Sequence, residues 1–247
     1  MSAEAHVLNG DALLSQLQTW LSGDLIVARE CLVDGPVDAS LLDDFYHQRA
    51  RFLSNAYGGP EISYWERVVP EFTKIKQLET GCILNLWFEE DLFCQVNLWF
   101  VAHLIRPRID QVYLVKPSAS LRYGFGGMDQ EALKKAYQNR TLLSPENLKA
   151  FSNLWEAYVA KSAQQFQDQI PLVEGVFPRI REVVEANSTR LPGAKSENSP
   201  LELLKTIRKE LSTDQFGPAF QAFSERAPIY GFGDLQVKRI WDTIKDG

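Results

Sequence analysis

The 247-residue chain reads as an α/β protein. The expected fold is an N-terminal open parallel sheet of about four strands, in an order near 2-1-3-4, flanked by helices and followed by an all-helical C-terminal region. Three observations predict this. Short apolar runs at residues 5–8, 25–28 and 82–88 lack the alternation of half-exposed strands, as strands covered on both faces do. Segments with apolar residues three and four apart lie between them, so strands and helices alternate. After Pro117 the alternation stops and only helical spacing remains.

The first strand is 5–8. Asp11 then precedes Leu13, Leu14, Leu17 and Leu21, one face of a helix, and an Asp there is expected to cap it by accepting free amide N–H groups. Ser22-Gly23 stops that helix, and 25–28 is the second strand. After the Gly35-Pro36 break, 40–56 is helical. Leu41, Leu42, Phe45, Phe52 and Leu53 form its apolar face, with Asp43, Asp44, His47, Gln48, Arg49 and Arg51 mostly outside. Gly58-Gly59-Pro60 is a turn, and 62–78 is a helix that Pro70 kinks or breaks. The third strand, 82–88, runs into Glu89-Glu90-Asp91. A helix over Leu92–Ile105 follows, closed by Arg106-Pro107, and 111–116 is the fourth strand. Parallel strands joined this way imply right-handed crossovers.

In the second half, 118–127 is a loop, and 129–138, 144–167, 172–187, Pro200–Leu211, 217–226 and 234–244 are helical. Residues 188–200 are the most linker-like. The expected organisation is a sheet domain over 1–120 and a helical domain over 121–247. The last two helices have helix-turn-helix spacing, yet Lys238, Arg239 and Lys245 are set against Asp242 and Asp246. Phosphate contacts need a basic surface, so a domain-capping role is the default.

Hydrophobic residues make up 45% and the net charge is −6, which fits a packed globular protein and argues against a nucleic-acid partner. The three cysteines form no C-x-x-C pair, as in a reducing cytosol. The start Met1-Ser2-Ala3-Glu4 has no basic region of a signal peptide. The longest apolar stretch, Leu92–Ile105, is interrupted by Gln95, Asn97 and His103 and is too short and polar to span a bilayer. The expectation is a cytoplasmic protein without a membrane partner.

In an open parallel sheet, ligands bind beyond the carboxyl ends of the strands where the strand order reverses. For this order the crevice lies between the first and third strands. Asn9-Gly10-Asp11 and the loop 88–91 meet there, with 29–35 next door. The candidates are Asn9, Asp11, Arg29, Glu30, Asp34, Glu89, Glu90, Asp91, Cys94 and Gln95. Gly10 would let a ligand come close, while Asp11 occupies the place of an anion. A sugar hydroxyl, an amine or a metal-bridged group is therefore expected ahead of a bare phosphate. Turn and cap chemistry explains Asn9-Gly10-Asp11 as well.

Converging carboxylates raise each other's pKa and serve acid–base work or bind Mg²⁺. Asp11, Glu30 and Asp91 are the catalytic candidates, with Arg29 as an anchor; Asp34 and Glu89 read as solvated loop acids. Cys94 reads as buried and inert, and His6 as a satisfied core residue. No phosphate-loop, dinucleotide, zinc or nucleophile-elbow motif is present, so no cofactor is identified.

Four stretches, residues 6–11, 29–36, 86–95 and 231–234, resemble a bacterial domain-of-unknown-function family. Its patterns are a strand followed by Gly-Asp, an acidic dipeptide or Arg-Glu before Leu and Gly-Pro, and Leu-Trp-Phe with a trailing acid. This chain has Glu30-Cys31 where many members have two acids, so the resemblance implies no role needing adjacent acids there. It implies a fold and no activity. Its motif positions are Asn9, Gly10, Asp11, Arg29, Glu30, Gly35, Trp87, Asp91 and Gln95, which makes Asn9, Gly10, Arg29, Gly35, Trp87 and Gln95 the ligand-binding candidates.

Two functional readings follow. In one, the chain binds a small polar ligand at the sheet edge, with acid–base or metal-assisted chemistry. In the other, a non-enzymatic module docks a protein partner through the aromatic-rich helical half: Phe151, Trp155, Tyr158, Phe166, Phe177, Phe216, Phe220, Phe223, Tyr230 and Phe232. Those rings could equally be that half's own core.

Overall fold

The computed structural model describes residues 4–105, 109, 111–118, 121, 124–191 and 196–245. Five strands form one sheet in the order β2-β1-β3-β4-β5. They are β1 (Glu4–Leu8), β2 (Asp24–Val27), β3 (Ile83–Trp87), β4 (Gln111–Val115) and β5 (Thr141–Leu142). The first four are parallel, as expected. β5 corrects the all-helical reading of the second half. It adds a two-residue antiparallel edge, pairing Leu142 with Tyr113, and two residues carry no periodicity.

The helices are α1 (Asp11–Leu17), α2 (Leu42–Tyr57), α3 (Glu61–Arg67), α4 (Val69–Gln77), α5 (Leu92–Ile105) and α6 (Gln130–Gln138). The rest are α7 (Pro145–Ala160), α8 (Ala163–Val173), α9 (Ile180–Thr189), α10 (Pro200–Leu211), α11 (Phe216–Arg226) and α12 (Asp234–Lys245). The expected helix over 62–78 is divided at Val68, with Pro70 in the first turn of α4. The helix expected over 144–167 ends early because Lys161 turns left-handed at φ 52°. Asp11 is not a cap: Gly10 holds the N-cap position of α1 and no side chain bonds to it. Arg106-Pro107 and the middle of the 188–200 segment lie outside the described residues. Among the described residues, no helix is long and apolar enough to cross a membrane.

Alternation along the strands sends residues to opposite faces. Ala5, Val7, Leu84, Leu86 and Leu114 enter a large core that continues through α5, α7 and α8 to Val237 and Trp241 of α12. Leu8, Trp87 and Val115 meet α1 and α6 on the other face. The segments 1–120 and 121–247 thus share one buried core. α5 is buried on nearly every side, as an all-round apolar helix must be, and it carries Cys94, Gln95 and Asn97 to the carboxyl edge of the sheet. Seven of the aromatic residues in the helical half, Phe151, Trp155, Tyr158, Phe166, Phe177, Phe223 and Tyr230, are core residues. Phe216, Phe220 and Phe232 pack partly buried against them.

Candidate functional site

Three loops and the start of α5 meet at the switch point between β1 and β3, and their own side chains fill the crevice. Asn9 Nδ2 lies 2.8 Å from Cys94 Sγ. Asn9 Oδ1 accepts from Asn97 Nδ2 at 2.9 Å, and Asn97 Nδ2 also donates to the Glu30 carbonyl at 2.8 Å. Two asparagines therefore pin the loops after β1 and β2 to α5. Gln95 is 1% exposed and donates through Nε2 to the Glu89 carbonyl at 2.8 Å.

Glu30 is sealed rather than poised. Its Oε1 accepts from Arg49 Nε at 2.9 Å and from the Tyr64 hydroxyl at 2.8 Å. Its Oε2 accepts from Arg49 Nη2 at 2.8 Å and from the Cys31 amide at 2.6 Å. Arg49 also donates to the carbonyls of Cys31, Asp34 and Pro36, so each of its five N–H groups has an acceptor. Both side chains are 0% exposed. This corrects the outward placement of Arg49 and makes Glu30 the counter-ion that shapes the 29–36 loop. The signal was in the spacing, because Arg49 falls in the stripe Leu42, Phe45, Arg49, Phe52 and Leu53. At Gly35 φ is +82° and a Cβ would overlap the Phe52 ring, so that glycine serves the turn. Tyr158 donates to the Leu32 carbonyl at 2.9 Å, and Arg239 pairs with Asp34. Helices from both halves thus grip the loop.

Asp91 lies 2% exposed at the start of α5, where its Oδ1 accepts the Cys94 amide at 2.9 Å in the manner of an N-cap. Gly231, left-handed at φ +63°, packs so closely that a Cβ there would overlap the Asp91 carboxyl. This joins the late Gly-Phe-Gly-Asp stretch to the third motif. Burial, with the neighbouring Glu89 charge second, pushes the Asp91 carboxyl up to about 7. Cys94 Sγ sits 2.9 Å from Glu89 Oε2, and Glu89 Oε1 accepts the Phe125 amide at 2.9 Å. Glu89 is thus a partnered member of the cluster rather than a solvated loop acid. Glu89, Asp91 and Cys94 each bring a donor atom within 4.8 Å of the others, but these donors are already joined to one another and to the backbone.

The outer rim is open. Asp11 is half exposed; Arg29 Nε and Nη2 both lie 2.8 Å from its Oδ1, and Arg67 lies 3.6 Å from Oδ2. Arg29 also donates to the Arg67 carbonyl at 3.2 Å. A Cβ built on Gly10 meets no atom within 4 Å.

Trp87 stands apart from this site. It is 0% exposed on the face covered by α1 and α6 and donates to His6 Nδ1 at 3.2 Å. It therefore cannot touch a ligand at the edge. That bond leaves the other nitrogen of His6 to donate to the Ser22 carbonyl at 2.9 Å, and burial lowers the His6 pKa below 6.5.

All three cysteines are free and buried. Burial pushes the Cys31 thiol up to about 12 and holds Cys94 and Cys82 above their ordinary value. Thiolates, not thiols, attack disulfide reagents. Titration of the native protein at pH 8 with an aromatic disulfide reagent is expected to show no fast-reacting thiol and three after denaturation; one fast native thiol would contradict this environment.

The chain matches no protein-family model, no curated protein and no solved structure.

Proposed function

We propose that this protein binds a small polar ligand at the rim of the sheet's carboxyl edge, over Gly10 and beside Asp11 and Arg29. The observation that carries this reading is the open space at Gly10 next to the half-exposed Asp11 carboxylate. The inner residues Asn9, Glu30, Asp91 and Gln95 are the scaffold that holds this rim. A ligand hydroxyl or amino group would take Asp11 Oδ2 in place of the distant Arg67 guanidinium, and an anionic group would draw that guanidinium to itself. The three unpaired cysteines support a reducing, cytosolic setting.

The test is thermal-shift screening against nucleotides, sugar phosphates, amino acids and divalent cations, repeated on Asp11→Ala and Arg29→Ala. A ligand at 100 times its dissociation constant adds about 2.7 kcal/mol of stability. The expected result is a hit in the wild-type protein that both variants lose. A hit that both variants retain, or a blank screen, would overturn the reading.

A further inference from the structure

A second place in the fold has the makings of a binding site, and none of its residues belongs to the rim. A groove of about 640 Å³ runs between α2 and α12, within the size range of small-molecule sites. Its working residues are His47, Gln48, Arg51, Phe52 and Asn55 on one face of α2, with Arg239 across from them. Their spacing of three and four puts the α2 members in one row. Pro36, from the loop that Arg49 shapes, lines the same groove.

The two guanidinium groups decide its chemistry. Arg239 is held in place: Nη1 bonds to Asp34, and its carbon sits 5.3 Å from the ring centres of both Phe52 and Tyr57. A guanidinium held by an ion pair and resting near two rings needs little further ordering to bind. Arg51 is the opposite case. It is exposed, and among the described residues it is the arginine with no hydrogen bond, ion pair or ring contact. The acid lining the groove, Asp44, is seven residues from Arg51, about 10 Å along the helix axis. The end of the groove at Arg51, Asn55 and Arg239 is therefore rich in donors and carries a cation without a counter-ion, beside the half-buried Phe52.

We propose that this groove binds a small organic anion, its phosphate or carboxylate head taken by Arg51 and Arg239 and its apolar body resting along Phe52. One guanidinium is preorganised, so little ordering opposes capture, and the free one supplies a charge-assisted bond.

The test titrates the full-length protein calorimetrically with two probes that share a phenyl body, phenyl phosphate and phenylacetate. Saturable one-to-one binding of at least one is expected, and the tighter probe identifies the head group. Arg51→Glu is expected to weaken that binding tenfold or more without moving the unfolding midpoint, because Arg51 holds nothing in the fold. Asp11→Ala is expected to leave it unchanged, which separates this site from the rim. Neither probe saturating up to about 10 mM, or binding untouched by Arg51→Glu, would overturn the proposal.

Discussion

Arg49→Met will cost the protein about 3–5 kcal/mol of stability, the range for breaking one side of a buried ion pair. The loss has two sources. Glu30, 0% exposed, would keep a carboxylate without a counter-ion, and the carbonyls of Cys31, Asp34 and Pro36 would lose a donor they now share with the guanidinium. A buried acceptor left unmade costs about 1–3 kcal/mol. Domains of this kind hold roughly 5–15 kcal/mol in all, so the variant will sit near the edge of folding. Lys at this position will rescue little, because an ammonium cannot reach acceptors laid out for a planar fork. The double variant Glu30→Met with Arg49→Met will be less destabilised than the sum of the single changes, since the second removes the stranded charge. Urea unfolding of the four proteins measures this cycle. A single Arg49→Met change within about 1 kcal/mol of wild type would show that the loop is held by something else.

The same residues show what the sequence could and could not convey. Local period and alternation revealed four strands and their order, because a parallel sheet needs apolar strands and crossover helices, and both leave marks within twenty residues. The carboxyl edge followed from the topology. What failed was the assignment of roles within it. Residue type places Arg49 outside although its spacing puts it inward, since a charged side chain enters a core only with a partner and that partner, Glu30, lies on another element. The motif groups Trp87 with the edge, but parity along β3 sends it to the far face with Leu8 and Val115. Asn9 lies 85 residues from Cys94 and 88 from Asn97 along the chain, so no local pattern announces that they fill the crevice together. The open rim is legible only in part: strand-end position points to Asp11 and Arg29 but not to Arg67 on a separate helix, and Asp11 forms an ion pair rather than a cap.

Asp91→Asn will flatten the pH dependence of stability and leave the protein more stable than wild type above pH 7. The carboxyl sits at about 7 in the fold against an ordinary 3.8, with burial the first cause and Glu89 the second. Between those values the folded chain keeps a proton that the unfolded chain has released. The folded state therefore binds more protons, and stability falls as pH rises from about 4 to 7. At about 1.4 kcal/mol per pH unit the whole fall is bounded by roughly 4 kcal/mol. His6 acts with the opposite sign. Its pKa is lowered, so the unfolded chain takes a proton first as pH drops below 6.5, and stability is lost on the acid side. The two effects overlap in wild type, which is why the comparison with the variant, rather than the wild-type curve alone, isolates Asp91. Asn still accepts the Cys94 amide as a cap, so the α5 start survives the change. Urea midpoints at pH 4.5, 6 and 7.5 should converge at the acid end and separate toward neutrality, with the variant above. Parallel curves would mean that Asp91 is ionised in the fold at neutral pH, and that the pocket under Gly231 supplies a counter-charge to a carboxylate it now surrounds with Glu89 and Cys94.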